Sequence, residues 1–361
     1  MLKVKEEEEE NPPLMATYKH LLDGPEQQRL LLDNNDDDED GQVLPVIDLH
    51  DDEHCRAAMV HAASEWGFFQ VTNHGVPQPL LDELHEAQVA VFRRPFQCKL
   101  RGPLQGLESS PESYRWGTPT ATCLEQLSWS EAYHIPMTTT SDGAADTKTS
   151  RLRLVVEEVS AAMSKLAMQL AGILVAGLDN EEEDTAVVGC TRDTCFLRLN
   201  RYPAAPASGG AKAARFGLCA HTDSDFVTIL HQQDAVGGLQ VLKDKEAGRW
   251  VAVRPNPGAL IVNVGDLLQA WSNDRYRSIQ HRVVVPAAAA ERFSVAFFLC
   301  PADDRLIRPH CTTSGGDDTP RYRSFTFGEY RNQVREDVRL TGRKLGLQRF
   351  RIEGSSSCGP L

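Results

Sequence analysis

Between Cys195 and Leu299 the chain breaks into short apolar, β-branched segments separated by Gly, Pro and Asn, and this limits the folds it can adopt. The candidate strands are 195–202, 226–232, 238–243, 250–253, 259–264, 278–285 and 293–299. Segments this short cannot bury their apolar faces alone. Their regular spacing with turn residues between predicts a closed or double-layered antiparallel barrel. The expected fold class is therefore mainly β with flanking helices.

Upstream, the period changes. A strand is expected at 43–49, a helix at 51–65, a strand closed by a turn at 66–76, an amphipathic helix at 79–92, and a strand at 126–136 stopped by Pro136. A long helix at 151–178 carries Leu154, Val155, Val159, Met163, Leu166, Leu170, Ile173 and Leu174 at helical spacing, and is expected to back the β-core. Residues 1–42 hold the acidic runs 6–10 and 33–40 and few periodic apolar positions, so a mostly disordered acidic arm with at most one helical turn is expected. The expected organisation is that arm, an α/β region over 43–192, a β-domain over 193–335 and a tail over 336–361 that frays at its Ser/Gly-rich end.

A net charge of -13 argues against nucleic acid as a partner, because phosphate binding needs clustered Lys and Arg. No stretch approaches the roughly 18 uninterrupted apolar residues of a membrane span, and the acidic start is unlike a signal or transit peptide. The 9 Cys show no CxxC pair, which favours a reducing cytoplasm, with the nucleus as an alternative location.

The chemistry gathers at Gly217-Leu218-Cys219-Ala220-His221-Thr222-Asp223-Ser224-Asp225-Phe226. In an extended backbone residues i and i+2 share a face, so His221 and Asp223 offer an imidazole and a carboxylate to one spot. His281 opens another β-rich run, 58 residues after Asp223. Two His and one carboxylate on one face of a metal form the ligand set of non-haem Fe(II) oxygenases. Taken singly, each of the three is more commonly a satisfied polar residue; their joint occurrence with the groups below carries the metal reading. The same parity puts Arg292 and Ser294 on one face, where a guanidinium fork and a hydroxyl can hold a carboxylate. It also aligns Arg198, Asn200 and Tyr202, and extends the Arg292 face through Ala296, Phe298 and Cys300. Asp225 falls one pleat beyond Asp223 and is read as a supporting or surface residue. Arg282 points away from the ligand face and is read as structural; His74 is read as a turn residue, and Trp129 and Trp271 as core.

Four motifs in order, Asn200-Arg201-Tyr202-Pro203, His221-Thr222-Asp223, His281-Arg282-Val283 and Arg292-Phe293-Ser294, resemble the plant 2-oxoglutarate and Fe(II)-dependent dioxygenases over residues 43–335. Within that family, Tyr114-Arg115-Trp116-Gly117-Thr118-Pro119-Thr120-Ala121-Thr122, Leu127-Ser128-Trp129-Ser130-Glu131-Ala132-Tyr133-His134-Ile135-Pro136 and the stretch 260–273 are similar to gibberellin 2-oxidases that accept C20 gibberellins. The resemblance implies a double-stranded β-helix, or jelly-roll, core with an N-terminal α/β extension. It implies Fe(II) on His221, Asp223 and His281. It further implies 2-oxoglutarate and O2 as co-substrates, ascorbate as reductant, and the far carboxylate of 2-oxoglutarate on Arg292, Ser294 and Tyr202, with Asn200 beside them. The implied reaction is 2β-hydroxylation of a gibberellin, which inactivates the hormone. Arg198 is a candidate for a gibberellin carboxylate, and Phe298 and Cys300 for the apolar wall. The alternatives are another plant oxidase on this scaffold, such as a gibberellin 20-oxidase or a flavonoid oxidase, and a catalytically silent gibberellin-binding protein.

Overall fold

The computed structural model describes residues 10–22, 43–51, 54–101, 113–137, 151–178, 189–204, 215–232, 236–246, 248–285, 291–311 and 319–352. Two sheets face each other. The larger has eight strands. Its N-terminal members are β1 (Val46–Asp48), β2 (Phe68–Thr72), β3 (Tyr114–Trp116) and β4 (Glu131–Pro136); its central members are β5 (Phe196–Tyr202), β7 (Val227–Gln232), β10 (Leu260–Val264) and β12 (Arg292–Leu299). The strand order is β1-β2-β10-β7-β12-β5-β4-β3. The smaller sheet has the order β6-β11-β8-β9, from β6 (Arg215–His221), β11 (His281–Val285), β8 (Leu239–Asp244) and β9 (Arg249–Ala252). From β5 to β12 the chain crosses between the layers at every step except the β8–β9 hairpin, the double-layered path of a jelly roll.

Strand parity explains how the larger sheet serves two purposes. On β12, Phe293, Val295, Phe297 and Leu299 belong to the main core, where the long helix α5 (Arg151–Ala176) buries Val155, Val159, Met163, Leu166, Leu170 and Leu174. By length and composition α5 could cross a membrane, but half of its most apolar window is buried inside the protein, as in a core helix. The alternate residues Arg292, Ser294, Ala296 and Phe298 face the smaller sheet. Register places them beside Tyr202, Asn200, Arg198 and Phe196 of β5, and places Ser294, Ala296 and Phe298 beside Gln232, Leu230 and Thr228 of β7. One face of the sheet is oil and the other is a lattice of polar and aromatic groups, fixed by the period of two.

Helices α2 (Cys55–Glu65) and α3 (Gln78–Phe92) pack with α5 on the outer face of the larger sheet. The short helix α4 (Phe96–Arg101) places Lys99 in the interior, where it meets Glu131 at 2.6 Å; Glu131 in turn pairs with Arg201 at 2.7 Å. These charges are buried together and satisfy one another.

Three expectations need correction. The stretch 1–42 was expected to be a mostly disordered arm with at most one helical turn, yet α1 (Leu14–Leu22) lies inside it and buries Leu14, Tyr18 and Leu22. Tyr18 donates to the carbonyl of Ser128 at 3.0 Å and packs on Trp129, so the helix has tertiary partners that an isolated nine-residue peptide lacks. The boundary at 335 falls within a helix, α7 (Phe327–Thr341), and the chain beyond it folds back, burying Leu347 and Phe350. Tyr114–Trp116, outside every strand expected from the sequence, also forms an edge strand, β3. The acidic runs 6–9 and 33–40 lie outside the described residues.

Candidate metal and co-substrate site

His221 ends β6 and His281 begins β11, and the two are register partners in the smaller sheet. Asp223 lies in the crossing from that sheet to β7, not on a strand; the turn, rather than strict pleating, brings it onto the imidazoles. The Nε2 atoms of both His221 and His281 lie 3.7 Å from an Asp223 carboxylate oxygen. The three ligand atoms sit within 4.8 Å of one another, the only such His/Cys/Asp/Glu group among the described residues.

The protonation pattern suits a cation. Nδ1 of His221 donates to the Cys219 carbonyl at 2.8 Å and Nδ1 of His281 to the Ile279 carbonyl at 3.2 Å, which turns both Nε2 lone pairs inward. Burial, and then the facing His281, push His221 down to about 3. Burial raises Asp223, but the two imidazoles and its hydrogen bonds outweigh that and hold it down to about 2. Thr228 Oγ1 and Asn263 Nδ2 donate to Asp223 Oδ2 at 2.7 and 2.8 Å, leaving Oδ1 for a metal. Two imidazole nitrogens, one carboxylate and open positions fit Fe(II).

Beside the triad lies a cavity of about 760 Å³. On one flank Arg292, 1% exposed, donates Nη2 to Gln232 Oε1 at 3.0 Å and Nη1 to Ser294 Oγ at 3.4 Å, with its guanidinium over the Tyr202 ring. Among the described residues its Nε has no hydrogen-bond partner, and no carboxylate lies within ion-pair distance of it. A buried guanidinium with an idle donor and no counter-charge is a cradle for an anion.

Arg198 is similar: its Nε donates to Asn200 Oδ1 at 2.9 Å, and burial pushes its pKa down. Asn200 in turn reaches Ser294 Oγ at 3.4 Å, so it links the two arginines rather than standing with either alone. Phe298 stacks on Phe196 with centroids 4.4 Å apart, and Phe298, Ala296 and Cys300 all line the cavity. The structure thus brings every predicted site residue to one cavity.

Asp225 is no surface residue: it is 1% exposed and shares Thr228 Oγ1 with Asp223. Arg282 faces away, bonding Gln240 at 2.7 Å and lying over Trp250. Sequence reading missed Gln232, Thr228 and Asn263. Strand parity alone could have nominated them, but only once β7 was known to lie between β10 and β12.

A jelly roll with this triad and an anion cradle defines a class, and family models agree: residues 194–301 match the 2OG-Fe(II) oxygenase superfamily and residues 44–158 match the non-haem dioxygenase in morphine synthesis N-terminal model. Fe(II) and 2-oxoglutarate are accordingly the metal and co-substrate of this fold and site. The chain is 62% identical to gibberellin 2-beta-dioxygenase 5 of Oryza sativa subsp. japonica, over 93% of this chain and 95% of that protein. It is 46% identical to gibberellin 2-beta-dioxygenase 8 of Arabidopsis thaliana, over 85% and 86%. Among solved structures, JOX2 in complex with 2OG, Fe and JA superposes with a TM-score of 0.66 at 32% identity, covering 81% of this chain and 85% of that one. The chain belongs to the gibberellin 2-beta-dioxygenase family of 2OG-Fe(II) oxygenases.

Proposed function

We propose that this protein hydroxylates gibberellins at the 2β position, with C20 gibberellins as its preferred substrates. The observation that carries this reading is the arrangement of the cavity: a His-Asp-His triad, an anion cradle on one flank, and an aromatic wall containing a second buried cation, Arg198. His221, Asp223 and His281 would hold Fe(II), which when bound supplies O2 activation coupled to the oxidative decarboxylation of 2-oxoglutarate.

The chain's own groups do the placing. Arg292 and Ser294 take the far carboxylate of 2-oxoglutarate, Tyr202 covers the guanidinium, and Gln232 holds the fork in plane. Phe196, Phe298 and Ala296 present an apolar surface to a diterpenoid and exclude water. Arg198, with only the neutral Asn200 as its described partner, receives a substrate carboxylate, which would give the buried charge its counter-ion. The C20 preference rests on the motifs 114–122 and 127–136. His134 and Pro136 of the second motif line the cavity, and Trp129 ties it to the barrel: its Nε1 donates to the Pro203 carbonyl at 3.0 Å, directly after β5, and its amide to the Phe216 carbonyl of β6 at 2.8 Å.

The test is mass-spectrometric product analysis with one C20 and one C19 gibberellin, Fe(II), 2-oxoglutarate and ascorbate. A 2β-hydroxylated product formed faster from the C20 substrate is expected. Loss of carbon 20 would overturn the regiochemistry, and absence of succinate release would leave only a binding protein. Arg198→Ala should raise the gibberellin KM about 10-fold or more, the worth of a charge-assisted hydrogen bond; an unchanged KM would refute the carboxylate role.

A further inference from the structure

We propose that Lys344 is a positioning residue for the metal site, closing a clamp on the turn that carries Asp223. Asp223 is the only one of the three ligands outside a strand, so its place depends on whatever fixes residues 222–225. The Lys344 ammonium does so from the far end of the chain. It donates to the Thr222 carbonyl at 2.9 Å and to Ser224 Oγ at 2.8 Å, the residues on either side of Asp223, and pairs with Asp266 Oδ2 at 2.7 Å. The side chains of Lys344 and Asp266 are only 12% and 5% exposed, so this is a shielded contact.

Asp266 is the hub. It opens helix α6 (Asp266–Trp271), and its backbone amide donates to the Asp223 carbonyl at 3.0 Å. Its carboxylate accepts from Thr222 Oγ1 at 3.1 Å, from the Tyr330 hydroxyl of α7 and from Lys344. The turn is thereby held by backbone bonds from α6 and by side chains from α7 and the segment after it. Three donors on a compact ammonium match three acceptors around one turn.

The route that brings Lys344 there is built in. Gly342 ends α7 with φ 72°, and a Cβ at that position would lie 2.3 Å from Gln126 Nε2. Gly346, at φ 60°, passes so close that a Cβ would stand 3.1 Å from the Tyr330 hydroxyl and 3.4 Å from Asp266 Oδ2. Both glycines permit a left-handed turn where a side chain would strain or clash. Lys344 and Tyr330 lie outside residues 194–301, the stretch matching the oxygenase family.

Partners of metal-ligating groups typically set affinity by about 10-fold to 100-fold. The experiment titrates chelator-treated full-length protein with Co(II), following the d–d absorption, for wild type, Lys344→Met and Ser224→Ala. Lys344→Met is expected to weaken Co(II) about 10-fold and to alter the spectrum at saturation, because a displaced carboxylate changes the ligand field. Ser224→Ala, which removes one acceptor of the clamp and buries no lone charge, is expected to weaken it about 3-fold. A merely structural ion pair would lower the metal-free Tm and leave the saturated spectrum unchanged. Should Lys344→Met fail to fold, Ser224→Ala decides. Wild-type affinity and spectrum in the folded variants would overturn the clamp, and a wild type that binds no Co(II) would overturn the metal site and the clamp with it.

Discussion

Replacing Arg292 by Met tests whether the cradle is built for an anion or for stability. The side chain is 1% exposed, so its charge was desolvated on folding, and it has received in return bonds of 3.0 Å to Gln232 and 3.4 Å to Ser294, both neutral. Burial pushes its pKa down, the sign expected of a cation short of compensation. Met fills a similar volume without the charge. The lost hydrogen bonds cost about 1 kcal/mol each, and the relieved desolvation offsets a comparable amount. The ligand-free stability should therefore change by no more than about 1 to 2 kcal/mol. Binding should change far more, because hydrogen bonds to charged groups contribute about 1.5 to 3 kcal/mol, or roughly 10-fold to 150-fold in affinity. At 2-oxoglutarate 100 times the wild-type Kd, ligand stabilisation is about 2.7 kcal/mol; a 100-fold weaker variant retains about 0.4 kcal/mol. Denaturant unfolding with and without 2-oxoglutarate, in the presence of a divalent metal, measures both quantities on one sample. A variant that keeps the wild-type increment with 2-oxoglutarate, or loses several kcal/mol without it, would refute the anion cradle.

Asn263→Ala removes one of two donors to Asp223 Oδ2 and should weaken divalent metal about 10-fold in an equilibrium titration, with the fold retained by circular dichroism. His134 packs against Phe196 and is pushed down to about 4, by burial first and then by Arg198. The unfolded chain therefore binds a proton between pH 4 and about 6.5 that the folded one refuses, so stability falls on acidification through this window. Allowing for its partial exposure, the loss at pH 5 should be about 1 kcal/mol relative to pH 7, and His134→Gln should lack this part of the slope in urea unfolding. Tyr18→Phe deletes the bonds to Ser128 and Thr118 that dock α1, and should lower stability by about 1 to 2 kcal/mol in thermal unfolding. An unchanged Tm would mean that the helix is held by its apolar contacts alone.

Much of the site was legible in the sequence because its information is local. The types His, Asp and His specify the metal chemistry wherever they meet, and the period of two assigns Arg292, Ser294, Ala296 and Phe298 to one face without any knowledge of a partner strand. The long helix could be read from its spacing for the same reason. Gln232, Thr228 and Asn263 were not legible, since a polar residue on a strand gives no hint of which neighbour it will face until the strand order is known.

The chain by itself determined the alternation of short strands, the donor set and the cation-bearing face of β12, all properties of backbone period and side-chain chemistry. Only the tertiary structure decided what surrounds them. It made a docked helix of Leu14–Leu22, for which composition had suggested an acidic coil, because its helicity depends on Trp129 and the Ser128 carbonyl, more than a hundred residues away. It likewise brought Lys344 back over the turn of Asp223, a contact spanning 122 positions to Thr222 that no window of sequence can contain.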